Sequence, residues 1–399
     1  MAPVPKESSA AARFCCDCLQ RHTARLYMAA DYILYGADHS LFTGKVRAYM
    51  RYKGLNWEER PASRDVYLDI ILPNIGAPII PILETSDGQY VQDTTDIIDF
   101  LEDRHPDVSV YPETPLQRLV ALLLELYGDE WLMIPAMHYR WSVLDQQHDF
   151  VMSEFGRLSV PEASIEEQIA IGERVSKPFS AMLPNLGITE DTIPGIELTY
   201  LALLDQLDQH FAQFDFLLGS RPSIGDYGLM GPLYAHLGRD PVPKALMQKR
   251  APNVYAWVER MNGPLPLSGQ FLAHDVIPDT LLPILKTMCS DQLPDVLDVI
   301  EHNSAWLQET PGGNIPRFLG QHQFTTGPVT GKRFISSYAQ WLFQRAWLHY
   351  QSLDGDARVA ADTLLDSIGG RSALNVTIHH WLERRAGQLE LVEGQSPHF

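Results

Sequence analysis

Positive charge is scarce in this 399-residue chain: Lys and Arg number 31 against 50 Asp and Glu, a formal charge of −19 with His neutral. No long basic run offsets the balance, so the phosphate neutralisation on which nucleic acid binding leans is missing, and nucleic acid is excluded as a partner. Long apolar runs are missing too. The longest, Leu119 to Leu124, stops at Glu125, far short of the ~20 residues that cross a bilayer, which excludes a membrane span. Cysteine is sparse: Cys15, Cys16 and Cys18 stand together and Cys289 far away. That is no disulfide framework for a chain this long, and a reducing, cytoplasmic setting fits best. Four ligands at Cys-x-x-Cys spacing are absent, so the three clustered thiols read as unpaired and no metal is proposed.

What is present suits a folded enzyme. Residues are 45% apolar and 20% charged, which excludes disorder of the whole chain, and at ~100 to 200 residues per domain two or three domains are expected. Residues 1–30 stand apart. Lys6, Arg13, Arg21 and Arg25 face only Glu7 and Asp17 over irregular apolar spacing, so this segment reads as a disordered arm, with a mitochondrial transit peptide as the competing reading.

Tyr32 to Gly36 is β-branched and aromatic and predicts a short buried strand. A helix comes next, opened by Ser40, whose side chain accepts from backbone N–H groups two or three residues on, carried by Val46, Tyr49 and Met50, and stopped near Gly54. Trp57 to Arg60 predicts a second strand, Asp65 to Leu72 a short helix, and Ile79 to Leu83 a third strand. Asp87-Gly88 turns the chain into Tyr90 to Gln92, and Ile97, Ile98 and Leu101 mark a helix ending near His105. The order is βαβαββα. From Leu116 the pattern changes to helices at about 115–155, 162–182, 195–213, 226–237 and 252–262. Within these, Ser223 and Asp226 have the spacing of a reciprocal helix-start box. Beyond Gly263-Pro264-Leu265-Pro266 the chain reads as further helix to about 388, around a Gly-rich connector at 311–331. There Gly327 to Arg333 only faintly resembles a phosphate loop and lacks its spacing and its Ser or Thr. His379 and His380 are adjacent and do not share a helix face as a metal pair would.

Together, the βαβαββα order, Ser40 at the first turn, a Pro inside an apolar strand and Asp93-Thr94 opening the next helix resemble the glutathione S-transferase superfamily over about 31–262. The resemblance implies a thioredoxin-like α/β domain at 31–110 and an all-helical domain at 115–264, and the α-helical extension read at 265–399 lies beyond it. It implies glutathione as co-substrate, a small-molecule electrophile as second substrate, and a homodimer contact along the first helices of the helical domain. Asp38-His-Ser40-Leu-Phe-Thr43 resembles the family's active-site segment in a serine-type form, with Ser40 the catalytic residue. Ser40 and Thr43 stand where thioredoxin-like redox proteins carry Cys-x-x-Cys, so a dithiol mechanism is excluded there. Ile80-Pro81 is similar to the family's Val-Pro, with a cis peptide and a backbone that pairs with the cysteinyl part of glutathione. Gln92-Asp93-Thr94 resembles its Glu-Ser segment, with Asp93 meeting the ammonium and Thr94 the α-carboxylate. For the glycyl carboxylate, Arg64, Lys45 and Lys53 stand equal.

The energetics suit a hydroxyl that stabilises a thiolate. A thiol with a reference pKa of ~8.5 must fall to about 6.5 to be mostly ionised at neutral pH, which requires ~2.7 kcal/mol. A hydrogen bond to a charged group supplies ~1.5 to 3 kcal/mol and a helix N-terminus ~0.3 to 1 kcal/mol. Conjugation of glutathione to an electrophile is the leading expectation. A non-catalytic binding or scaffold protein of the same fold, and a glutathione-dependent reductase or isomerase, are the alternatives. Tyr127, Trp131, His138, Tyr139 and Trp141 read first as core and second as an acceptor pocket.

Overall fold

The computed structural model describes residues 30–310, 314–385 and 387–392. The expected N-terminal arm, with Cys15, Cys16 and Cys18, lies outside the described residues apart from Ala30.

The first unit is a four-stranded sheet of order β2-β1-β3-β4, built from β1 (Tyr32–Gly36), β2 (Trp57–Pro61), β3 (Ile82–Thr85) and β4 (Tyr90–Gln92). β1 runs parallel to β2 and antiparallel to β3, and β3 is antiparallel to β4. Alternation divides the sheet's side chains. Leu34 and Leu83 join the main core, whereas Tyr35 and Ile82 join a small cluster with Ala62 and Ile71 on the other face. Helix α1 (Leu41–Tyr52) and helix α2 (Thr94–Arg104) pack on each other, and the other face is covered by a helical run over 64–75. β3 begins at Ile82, later than its apolar run suggests, because Pro81 has no N–H to give a ladder.

The second unit is helical. Helix α3 (Pro115–Leu126) leads through one π-turn into α4 (Met133–Trp141), and α5 (His148–Ser159), α6 (Ile165–Val175), α7 (Ile193–Phe211), α8 (Ile224–Ala235), α9 (Pro241–Arg250) and α10 (Pro252–Asn262) come after it. Helix α8 is central and packs on both α1 and α3. Gly225, Gly228 and Gly231 make this possible: a Cβ on Gly228 would meet the Glu125 Cα at 2.6 Å, and one on Gly231 would lie 3.2 Å from the Leu41 carbonyl oxygen. Its start is tied down by Asp226, which accepts from Ser223 N at 2.8 Å, Leu217 N at 3.0 Å and Trp257 Nε1 at 3.3 Å.

The extension departs from an all-helical reading. It has helices α11 (Leu282–Thr287), α12 (Leu293–Glu309), α13 (Ser337–Gln351) and α14 (Gly355–Ile368), and also two β-hairpins, β5 (Phe318–Thr326) with β6 (Val329–Ser336) and β7 (Trp381–Arg385) with β8 (Gln388–Val392). The Gly327 turn is thus the tip of a hairpin. Its inward positions include His322 and Arg333, which meet Asp295 and Asp298 rather than an apolar core, so the alternation of strand residues is hidden in the sequence.

Helices α13 and α14 lie on α3. They cover the helix on which the homodimer contact was expected: Leu119, Val120, Leu123 and Leu124 are buried within one chain. Among the described residues no helix is long and apolar enough to cross a membrane.

Candidate functional site

Strand register gathers the expected site residues at one end of the sheet. Tyr35 pairs with Ile82 and Ile82 with Gln92, so the end of β1, the Ile80-Pro81 peptide and Asp93 lie side by side. The Ile80-Pro81 peptide is cis. Ser40 lies four residues beyond β1 and begins α1, while Asp93 begins α2. Each of these two helix N-termini has a polar cap, and of the two only the α1 end, capped by a neutral hydroxyl, is left without a carboxylate of its own.

Ser40 is half-buried in extended backbone, and its Oγ accepts from Thr43 N at 3.3 Å. That bond uses a lone pair and leaves the hydroxyl hydrogen for another acceptor. Thr43 is a packing residue: it is fully buried and its Oγ1 accepts from Ala37 N at 3.3 Å. A Cβ on Gly36 would come within 2.2 Å of Thr43 Cγ2, so the strand end and the helix start touch only because residue 36 has no side chain.

Four arginines surround the segment before Ser40. Arg140 donates from Nη1 to the His39 carbonyl at 2.9 Å and holds Asp240 through two bonds of 2.6 and 2.8 Å. Arg47 grips Glu59 at 2.6 Å and reaches Asp38 at 3.3 Å, and Arg157 reaches Asp38 at 3.2 Å. Burial, then Arg140, Arg239, Arg157 and Arg47, hold the His39 imidazole well below its usual range. Against its burial, Arg47, Arg239 and Arg157 hold the Asp38 carboxyl low. Three of these arginines come from beyond residue 135, and no local motif announces them.

Asp93 is a non-glycine residue at φ 89, an uncommon conformation that orients its carboxylate as the α2 cap, with Oδ1 accepting from Thr95 N at 2.9 Å. Its Oδ2 is already engaged. Tyr338 OH donates to it at 2.8 Å, and Arg384 Nη1 lies 2.6 Å away. Thr94 is 2% exposed. The amine end of the expected site is thus roofed by α13 and the β7–β8 hairpin, residues that the sequence pattern did not single out.

Of the three cations expected to compete for a glycyl carboxylate, two are ruled out. Lys45 is fully buried between Glu125 and Asp129, at 2.8 and 2.6 Å. Lys53 is buried against Glu102 at 2.9 Å and donates to the Asp107 carbonyl at 2.8 Å. Both serve the junction between helices, because a buried ammonium without a carboxylate is strongly disfavoured. Arg64 is exposed.

The aromatic stripe is core. Tyr127, Trp131, His138, Tyr139 and Trp141 are all buried, and Tyr127 and Trp131 help enclose a space of only about 10 Å³ with Pro135, Tyr200 and Thr326, room for about one water. Among the described residues no cluster of three His, Cys, Asp or Glu is arranged to hold a metal.

Comparison with known proteins gives a family match in two places. The glutathione S-transferase N-terminal domain family matches residues 34–109, and the glutathione S-transferase C-terminal domain family matches residues 190–260. Solved structures similar to the chain include a β-etherase from Sphingobium sp., with 19% identity, TM-score 0.43, 59% of this chain and 96% of the other covered. A glutathione S-transferase from Methylobacterium radiotolerans in complex with glutathione sulfonate has 19% identity and TM-score 0.36, with 62% of this chain and 99% of the other covered. A GST-like protein from Pseudomonas syringae has 19% identity and TM-score 0.38, with coverage of 59% and 68%. No curated protein matches the sequence.

Proposed function

Because the chain belongs to the glutathione S-transferase superfamily, we propose that it binds glutathione at the shared edge of β1, β3 and β4 and conjugates its thiolate to an electrophilic small molecule. The observation that supports this reading is the strand register that sets the end of β1, the cis Ile80-Pro81 peptide and Asp93 side by side, with the Ser40 cap of α1 four residues beyond β1. The Ser40 hydroxyl donates to sulfur while its oxygen keeps the Thr43 N–H. The N-terminal dipole of α1 favours the anion. Ile80 presents its backbone to the cysteinyl part, and Asp93 and Thr94 take the γ-glutamyl end.

The sulfur end suits this ligand, since a hydrogen bond to an anion and a helix terminus together supply the ~2.7 kcal/mol that ionisation needs. The amine end suits it once Asp93 is released from Arg384. That ion pair favours a second reading, a chain that keeps the fold and holds glutathione weakly without turnover. Titration calorimetry with reduced glutathione, then rates against a panel of aryl halides and enones, separates the two. Binding with thiol-dependent conjugation supports the enzyme, binding without turnover supports the second reading, and no binding by any variant removes both.

A further inference from the structure

Arg384, on β7, spends its guanidinium on the carboxylate that the proposed function assigns to a ligand amine. Besides the 2.6 Å contact with Asp93, it donates from Nη2 to Gln92 Oε1 and brings Nε within 3.6 Å of Asp96 Oδ2. The group lies over the rings of Tyr338 and Trp341, 5.7 and 5.4 Å from their centres. Arg384 is 7% exposed and Asp93 14%, so this is an interior pair and not a solvated rim contact. An ammonium and a guanidinium carry the same charge and seek the same lone pairs. With Tyr338 and Arg384 on Oδ2 and Thr95 N on Oδ1, only one acceptor site of the carboxylate is left, and an ammonium placed there would sit beside the like charge of the guanidinium.

Resting on the glutathione reading, we propose that the β7–β8 hairpin is a built-in occupant of the amine end of the site, with Arg384 in the place of the ligand's ammonium, and that glutathione binds only as the hairpin lifts.

The fold permits this movement without loss of a helix. Among the described residues β7 and β8 pair only with each other, and the residues leading to them, 375–380, carry neither helix nor strand. A two-stranded hairpin has little stability alone and depends on what it rests against. Here the anchors are side chains. Gln344 accepts from Leu382 N at 3.1 Å and donates to its carbonyl at 2.8 Å, Gln340 donates to the His380 carbonyl at 2.7 Å, and the Arg384 fork adds to them, while Leu382 and Leu389 reach the main core and Trp381 packs on Trp347, so lifting also costs apolar burial. At the turn, Gly387 lies so near β4 that a Cβ there would stand 3.6 Å from Gln92 Oε1. A site open for only a fraction of the time loses affinity by that fraction.

The test is calorimetric titration of the full chain and its Arg384→Gln variant with reduced glutathione, with hydrogen exchange of the 381–392 amides measured with and without the peptide. Arg384→Gln is expected to tighten binding by about 10- to 100-fold, the range for a hairpin closed 90 to 99% of the time. Glutathione is expected to speed exchange across the hairpin in the unaltered chain. Gln344→Leu, which removes the two hydrogen bonds to Leu382, is expected to act in the same direction by a smaller factor, and serves if Arg384→Gln does not fold. Unchanged or weaker affinity in the variants overturns the block while leaving glutathione binding intact. Failure of every form to bind overturns the glutathione reading, and the block with it.

Discussion

Lys45 Nζ lies 2.6 Å from Asp129 Oδ2 and 2.8 Å from Glu125 Oε1, and none of the three side chains is more than 2% exposed. One ammonium on α1 thus joins the sheet unit to the first helices of the helical unit, with Thr95 Oγ1 donating to the same Glu125 oxygen at 2.8 Å. Lys45→Met leaves two carboxylates buried with little compensation. It is expected to lower stability by about 3 to 5 kcal/mol, the cost of removing one member of a buried pair, as read from urea denaturation. A triple variant that adds Glu125→Gln and Asp129→Asn is expected to recover much of the loss. If Lys45→Met costs under about 1 kcal/mol, the pair does not lock the two units.

Ser40 caps α1, and the proposed function gives it a second task at the thiolate. Ser40→Ala removes the cap on Thr43 N, at an expected cost of about 0.5 to 2 kcal/mol in stability. In the proposed function it also removes the hydrogen bond to sulfur, which is expected to raise the bound thiol's pKa by about 1 to 2 and to lower kcat/KM by about 10- to 100-fold. Ultraviolet titration of the bound thiolate separates the effects, since lost capping alone leaves that pKa unmoved. Ser40→Thr keeps the hydroxyl and is expected to retain most of the ionisation.

The contact between Gly36 and Thr43 governs how closely strand and helix meet. Gly36→Ala is expected to cost about 1 to 3 kcal/mol through overpacking. Thr43→Ala removes the two atoms nearest the new methyl and leaves only the residue-43 Cβ, at 3.0 Å, so the double variant is expected to be more stable than the sum of the single losses predicts. Strict additivity in thermal melts would show that the two residues are not in conflict.

Glu130 carries a pH signature. Burial raises its carboxyl to about 7, even though Arg333 and Arg317 pull it down. The folded chain therefore holds a proton that the unfolded chain releases near 4.5, and this group's contribution to stability is lost as pH rises from about 4.5 through 7. Glu130→Gln removes the dependence. Relative to the unaltered chain, the variant is expected to gain up to about 3 kcal/mol between pH 4.5 and 8. Melting temperatures of both forms across that range check it, and parallel curves would place the Glu130 carboxyl at its ordinary value.

Much of the sheet unit was legible because its signals are local. Tyr32 to Gly36 alternates faces, Ser40 caps the helix that starts at Leu41, Pro81 interrupts an apolar run, and Asp93 opens a helix within four residues of a strand. The helical unit announced itself by periodicity and by the Ser223–Asp226 box. The hairpins did not. β7 and β8 are made largely of Leu, Glu, Arg and Gln, good helix formers that say nothing of strand pairing, and β5 and β6 turn His322 and Arg333 inward where a pattern reader expects apolar side chains.

By itself, then, the amino-acid order carried the family resemblance and the sheet-then-helix plan, because the signals at Ser40, Pro81 and Asp93 each depend on neighbours within a few positions. Only the tertiary structure decided that Lys45 and Lys53 are structural, that arginines from distant helices surround His39, and that Arg384 rests on Asp93. Those are contacts between segments 49 to 291 residues apart, and charge–charge partnership at such separation leaves no periodic trace in a sequence.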